Sequence, residues 1–325
     1  MEMEFEEKME IRKINEFKTG DSLITFFLIR KVECKNTGSG KKYLDIVFGD
    51  SSGEIVARLW ECTAEDEVQY VKSMLVKIKG TVIEWQGKKQ VKIERIRPVK
   101  EKDGISLHEL VPVAPYAPED MFTELSTFIT KIEKNTLRET VQLIIAEAGE
   151  KLLTHPAALQ NHHSLRSGLL YHTLTMLQAG EKLLEVYTFL DKDLLFAGII
   201  LHDIAKLDEI EANDLGLATD YTVEGQLLGH IVQGVKKIDK AAQRVGLDEE
   251  TNLIMQHMIL SHHYEPEFGS PKRPMVPEAE ILHYLDILDA RMFDMCKVLG
   301  DIQPGDFSER VWVLNNRKIY KPQKK

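Results

Sequence analysis

The sequence predicts a chain of two unlike parts, an all-β barrel followed by an all-α domain. Apolar residues alternate with period two between residues 21 and 99, recur at three- and four-residue spacings after residue 118, and are separated by a proline-bearing charged stretch. The length, 325 residues, agrees with two domains at about 150 residues each. The expected boundaries are 1–99 for the barrel, 100–118 for a linker and 119–325 for the helical domain.

In the first part, residues 22–32 read as one strand, and 43–48 as a second with Leu44, Ile46 and Phe48 on one face. A turn cluster at 50–53 leads to a strand at 54–61 and a short polar helix at 63–71. Residues 75–85 and 89–97 then flank Gln86-Gly87, a hairpin signal. Three strands, a helix and two more strands describe an OB-type barrel, a fold whose exposed face commonly holds single-stranded nucleic acid. Tyr43, Trp60 and Trp85 are stacking candidates; Lys79, Lys88, Lys89, Lys92 and Arg95 are candidate phosphate partners. The alternative is that the aromatics fill the barrel and the lysines only solvate it.

The chain carries a net charge of −10, but residues 1–100 hold 19 basic against 17 acidic side chains. The acidity therefore lies in the helical part. Nine basic residues and only Glu84 and Glu94 fall between 72 and 100, so a polyanion can be met locally despite the overall sign. At 43% hydrophobic and 29% charged residues the chain has a globular composition. No run approaches the ~18 apolar residues of a membrane span, and the first ten residues are acidic where a secretory signal would be basic and then apolar. The expected location is cytoplasmic, with no membrane partner. Cys34, Cys62 and Cys296 form no C-x-x-C pair and read as small apolar residues, so neither a disulfide framework nor a thiolate zinc site is expected.

The helical part reads as helices over 119–134, 137–153, 164–189, 191–205, 223–245, 251–261 and 277–299. Seven of its histidines fall in five places: His162-His163, His172, His202, His230 and His262-His263. A histidine followed directly by aspartate, as in His202-Asp203, with more His and Asp on neighbouring helices, suits a divalent metal without any thiolate. The ordered set is Gly168-Leu-Leu-Tyr-His172-Thr, Leu201-His202-Asp203-Ile-Ala-Lys206, Gly229-His230, Ser261-His262-His263 and Leu285-Asp286-Ile-Leu-Asp289-Ala.

With this set and the preceding barrel, the sequence resembles the HD-domain phosphohydrolases and, more closely, the YhaM family of 3′-to-5′ exoribonucleases, over roughly residues 21–320. The resemblance implies an OB-fold plus HD-domain architecture and hydrolysis of single-stranded RNA, with DNA also open, to nucleoside 5′-monophosphates. It also implies a metal core of His172, His202, Asp203 and Asp286, with Asp289 able to replace Asp286. His230 with His262 or His263 match positions that hold a second ion in related domains. Mn²⁺ is the expected ion, with Co²⁺, Fe²⁺ or Zn²⁺ as alternatives. Asp203 is a candidate bridge between two ions, and Lys206 a candidate for neutralising phosphoryl charge. His162, His163 and Arg166 are candidates to contact the terminal phosphate. Ala205 and Ser167 stand where the family frequently has glycine.

Two other function classes stay open at this level. One is an HD enzyme acting on small nucleotides with the barrel used for assembly; a homo-oligomer stays open under every reading. The other is a non-catalytic single-strand-binding replication factor with a structural metal. The absence of thiolates near the histidines argues against the latter, because structural zinc sites usually close with cysteines.

Overall fold

In the computed structural model, the described residues are 12–323, apart from 39, 51, 104–109 and 160–162. The chain divides into two compact units, Met1–Val113 and Ala114–Lys325.

The first unit is a closed five-stranded barrel in the order β1-β2-β3-β5-β4, built from β1 (Ser22–Asn36), β2 (Lys42–Gly49), β3 (Glu54–Trp60), β4 (Leu75–Trp85) and β5 (Lys88–Pro98). Every pairing is antiparallel except β3 with β5, which closes the barrel in parallel. Closure leaves no free sheet edge to recruit another chain. Phe27, Ile46, Phe48, Ala57, Val76, Ile78 and Val82 fill the interior and are at most barely accessible. At the β4–β5 hairpin Gln86 and Gly87 both have positive φ, 51° and 75°, the backbone twist that a two-residue turn between right-twisted strands requires. Between β3 and β4 the short helix α1 (Ala64–Gln69) starts at Thr63, whose side chain accepts from the Asp66 amide while Asp66 caps Thr63 in return. Lys77, counted above in the basic run, is corrected by the structure. It is buried, 3.7 Å from the Asp103 carboxylate that Arg97 also grips at 2.6 and 2.8 Å.

The second unit is a helical bundle: α2 (Pro118–Thr130), α3 (Asn135–Ala148), α4 (Lys151–Thr154), α5 (Gly168–Val186), α6 (Lys192–Leu201), α7 (Lys206–Glu209), α8 (Val223–Val245), α9 (Glu249–Ser261) and α10 (Pro277–Gly300). The apolar run expected as one helix over 137–153 is two, because the chain takes φ 57° at Gly149 and turns there. A two-stranded hairpin, β6 (Ile210–Ala212) with β7 (Ala218–Tyr221), interrupts the helices; its strands are too short to show a period. Helix α6 is apolar on all sides, and residues 195–201 are buried, which marks it as the centre of the bundle. A Cβ on Gly180 would lie 2.9 Å from Ile199 and 3.3 Å from Leu285, so α5, α6 and α10 meet closely there. That crossing brings residues 172, 202–203 and 286 toward one point.

Candidate functional site

Five buried or half-buried histidines converge on Asp203. His172 comes from α5; His202 and Asp203 end α6; Lys206 and Glu209 belong to α7; His230 sits on α8; His262 and His263 follow α9; Asp286 and Asp289 lie one turn apart on α10.

Around Asp203 the atoms form two groups that share it. His172 Nε2 is 3.4 Å from Asp286 Oδ1 and 3.9 Å from Asp203 Oδ2, while His202 Nε2 is 3.4 Å from Asp203 Oδ2. On the other side, Asp203 Oδ1 is 3.4 Å from His230 Nε2 and 3.8 Å from His262 Nε2. One donor atom each from Asp203, His230, His262 and His263 fits within 4.8 Å, as does one each from His172, His202 and Asp203.

The outer nitrogen of every ring is pinned. Nδ1 of His202 meets the Ile199 carbonyl at 2.8 Å, that of His262 the Ile259 carbonyl at 2.7 Å, and that of His263 the Phe268 carbonyl at 2.7 Å. Nδ1 of His230 lies 3.0 Å from both Glu209 oxygens, and that of His172 2.7 Å from Asp289. A carbonyl can only accept, so the proton of those rings sits on Nδ1 and the Nε2 lone pair faces inward, the arrangement of a metal-ligating imidazole. Asp203 Oδ1, His230 Nε2 and His262 Nε2 are buried without any hydrogen-bond partner. Leaving three such atoms unpaired is costly, and a divalent cation would satisfy all three. The donor set is nitrogen and oxygen only, which suits Mn²⁺, Fe²⁺, Co²⁺ or Zn²⁺. The residues fit the group.

The electrostatics point the same way. Burial alone would lower the pKa of His172, but Asp286 and Asp289 more than reverse this and it is pushed up to about 10. Burial opposes the charge on Asp203, yet Lys206, 2.6 Å away, and His202 hold it well below the carboxylate range. Burial pushes His262 well down, with His263 and His202 adding to it. The pocket thus holds anionic carboxylates and, at His262, a neutral imidazole ready to ligate, while the proton that Asp286 and Asp289 draw onto His172 is one a bound cation would displace.

Of the two candidates on α10, Asp286 reaches the inner nitrogen of His172 and Asp289 the outer one. Asp289 is an orienting group behind the ring. His163, expected at the terminal phosphate, is corrected: it is 1% exposed and places Nε2 2.8 Å from Asp289, so burial removes it from any substrate surface. His162 lies outside the described residues. Arg166 donates to the Asp214 carbonyl at 3.2 Å and packs at the Gly216 turn. Ser167 has φ 64°, the left-handed conformation that favours glycine, and its hydroxyl donates to the Leu153 carbonyl at 2.6 Å. Ala205 has an ordinary helical φ of −75° and needs no glycine.

Sequence reading missed Glu209, which lies six residues past Asp203 in no motif, and His155, whose Nε2 meets the Lys206 carbonyl at 3.0 Å. It also gave no reason for Gly229. That residue has φ 68° and ψ 162° inside α8, a region open essentially to glycine alone, and the kink it makes turns His230 onto Glu209 and Asp203. Gly229→Ala is therefore expected to cost about 1–3 kcal/mol of stability, read by chemical denaturation. It should also lower metal content out of proportion to that loss; unchanged metal content would refute the role of the kink.

On the barrel, Tyr43 and Trp60 are cross-strand partners with ring centroids 4.8 Å apart, and Trp60 is 46% exposed. The Arg58 guanidinium lies about 6 Å from both rings, at 6.0 and 5.8 Å. Register places Lys92 beside Arg58 on the same outward face. Lys89 has the opposite strand parity and donates to the Phe17 carbonyl at 2.5 Å, so it is not brought to that face. Trp85 is exposed at the hairpin tip beside Lys88.

Among known proteins, residues 169–291 match the model of the HD domain and 28–99 that of the OB-fold nucleic acid binding domain. Solved structures with similarity include the second OB-fold domain of replication protein A from Methanococcus maripaludis (16% identity, 28% of this chain and 96% of that one, TM-score 0.23). Another is the OB domain of Ta0387 from Thermoplasma acidophilum (17%, 28% and 87%, TM-score 0.24). The 3′-5′ exoribonuclease YhaM of Shouchella clausii (strain KSM-K16) is 42% identical over 309 residues, covering 95% of this chain and 96% of that protein. A helical unit built around five inward-facing imidazoles, a barrel with an exposed aromatic pair and this near-complete alignment lead to one assignment: the chain belongs to the YhaM family of 3′-to-5′ exoribonucleases.

Proposed function

We propose that this protein is a metal-dependent 3′-to-5′ exoribonuclease that shortens single-stranded RNA to nucleoside 5′-monophosphates. The observation that carries the reading is Asp203, whose two carboxylate oxygens each face a different set of imidazole nitrogens. His172, His202, Asp203 and Asp286 would hold one ion; Asp203, His230, His262 and His263 would hold the other. Bound at two such sites, divalent metals supply a water of lowered pKa and stabilise attacking and leaving oxygens. Mn²⁺ is the ion we assign, on the family resemblance; the imidazole and carboxylate donors accommodate it.

The remaining work falls to side chains of this chain. Lys206, 2.6 Å from Asp203, is close enough to donate to a phosphoryl oxygen at the same carboxylate and so oppose charge developing there. Asp289 and Glu209 fix the ring orientation of His172 and His230. Tyr43 and Trp60 offer faces on which successive bases stack, and Arg58 and Lys92 offer cations to the backbone between them. No helix among the described residues is long and apolar enough to cross a membrane; with RNA as substrate, we assign a cytoplasmic location.

The test is hydrolysis of a 5′-labelled single-stranded RNA by chelator-treated protein to which Mn²⁺ is restored. The expected result is a ladder shortening from the 3′ end with mononucleotide release. No cleavage, internal cuts, or turnover of free nucleotides alone would each overturn the reading. For the second ion, His230→Ala is expected to lower metal content by about one ion per chain and to impair hydrolysis. Fully active wild-type protein with a single ion per chain would remove the two-metal proposal.

A further inference from the structure

Outside the helical unit, the described residues contain one further cluster able to hold a metal. Cys34, Cys62 and Glu67 each place a donor atom within 4.8 Å of the other two. The three come from separate places in the chain. Cys34 lies near the end of β1, opposite Leu44; Cys62 follows β3 after Glu61, whose left-handed φ of 56° turns the chain back; Glu67 is on α1. Cys34 is exposed and Cys62 part-buried, so an ion can enter from solvent. The thiols and the carboxylate already interact. Burial and neighbouring Cys34 push the Cys62 thiol up, while Lys42, 2.7 Å away, and the Cys34 thiol hold Glu67 down.

We propose that Cys34, Cys62 and Glu67 form a second, chemically distinct metal site on the barrel, one that takes a thiophilic divalent cation of the zinc class. Two sulfurs and one oxygen select such an ion over Mn²⁺, because thiolates are soft donors. The nitrogen and oxygen donors around Asp203 have no such preference. On binding, each thiol releases its proton to solvent, and the ion replaces the Lys42 ammonium as the partner of Glu67. Three ligands leave an open coordination position for water, as in other three-ligand sites. The ion would tie α1, six residues long and too short to be stable alone, to the ends of β1 and β3. Those strand ends adjoin Trp60 and Tyr43, so the clamp sits at the rim of the aromatic face.

The test uses full-length reduced protein with Mn²⁺ present and Cd²⁺ as the probe. Wild type is expected to show the ultraviolet cadmium–thiolate charge-transfer band at one equivalent, and Zn²⁺ is expected to compete it away. Cys34→Ser and Cys62→Ser should each lose the saturable band, and Glu67→Gln should weaken binding while keeping it. Circular dichroism and thermal unfolding matching wild type certify that the two cysteine variants are folded, and their dinucleotide hydrolysis is expected to be unchanged. Absence of the band in wild type, or its survival in both cysteine variants, would overturn the proposal.

Discussion

Asp203→Asn is expected to abolish hydrolysis, lowering kcat by about a thousandfold or more, which is roughly 4 kcal/mol of transition-state stabilisation. The substitution keeps the shape of the side chain and removes the charge that both imidazole groups share. Each group is then without its common anionic oxygen, and Lys206 is without the partner 2.6 Å away. An unpaired buried cation is itself destabilising by about 3–5 kcal/mol, so the variant must be shown to be folded by circular dichroism before its activity is read. Single-strand binding should survive, because the aromatic face belongs to the other unit. Metal analysis should show occupancy reduced on both sides of residue 203. Substantial turnover by a folded preparation free of contaminating nuclease would mean that Asp203 is not the shared centre.

Replacing both Tyr43 and Trp60 with alanine should raise KM on long single strands by roughly thirtyfold or more, from the ~1–3 kcal/mol that each of two stacked bases contributes. Dinucleotide hydrolysis should barely change, since so short a substrate held at the metal centre does not need the platform. The pair stands on paired strands 4.8 Å apart, half-exposed, with Arg58 near both rings, and its removal takes away surface rather than core. Exchanging Arg58 and Lys92 for glutamine should act differently. It should flatten the salt dependence of binding to long strands by about 0.7 unit of log–log slope for each phosphate no longer neutralised. With the variant shown to be folded by circular dichroism, equal losses on long strands and dinucleotides would show that the pair does not act as a platform for long strands; unchanged KM on long strands would show that RNA follows another face.

Element types and the candidate metal donors are legible in the chain alone. Period-two alternation needs only neighbours along one strand, so the five barrel strands and the Gln86-Gly87 turn can be read before any folding. His202-Asp203 and the spaced histidines can be read as well, because metal chemistry restricts donors to a few residue types. What each donor faces is set by the tertiary structure. Asp286 and Asp289 sit three residues apart on one helix, and only the approach of α10 to α5 puts the first at the inner nitrogen of His172 and the second at the outer one. Register puts Lys92 on the face that carries Trp60 and keeps Lys89 off it. The same holds for burial: His163 and Lys77 look like surface groups in the chain, and packing against Asp289 and Asp103 encloses them. Ligand identity is a property of residue chemistry, whereas ligand orientation depends on partners far apart in sequence or on the local helix path, such as Glu209 for His230 and Ile259 for His262. No local pattern encodes a partner such as Glu209 or Asp289, because it is set by which helices cross and at what height.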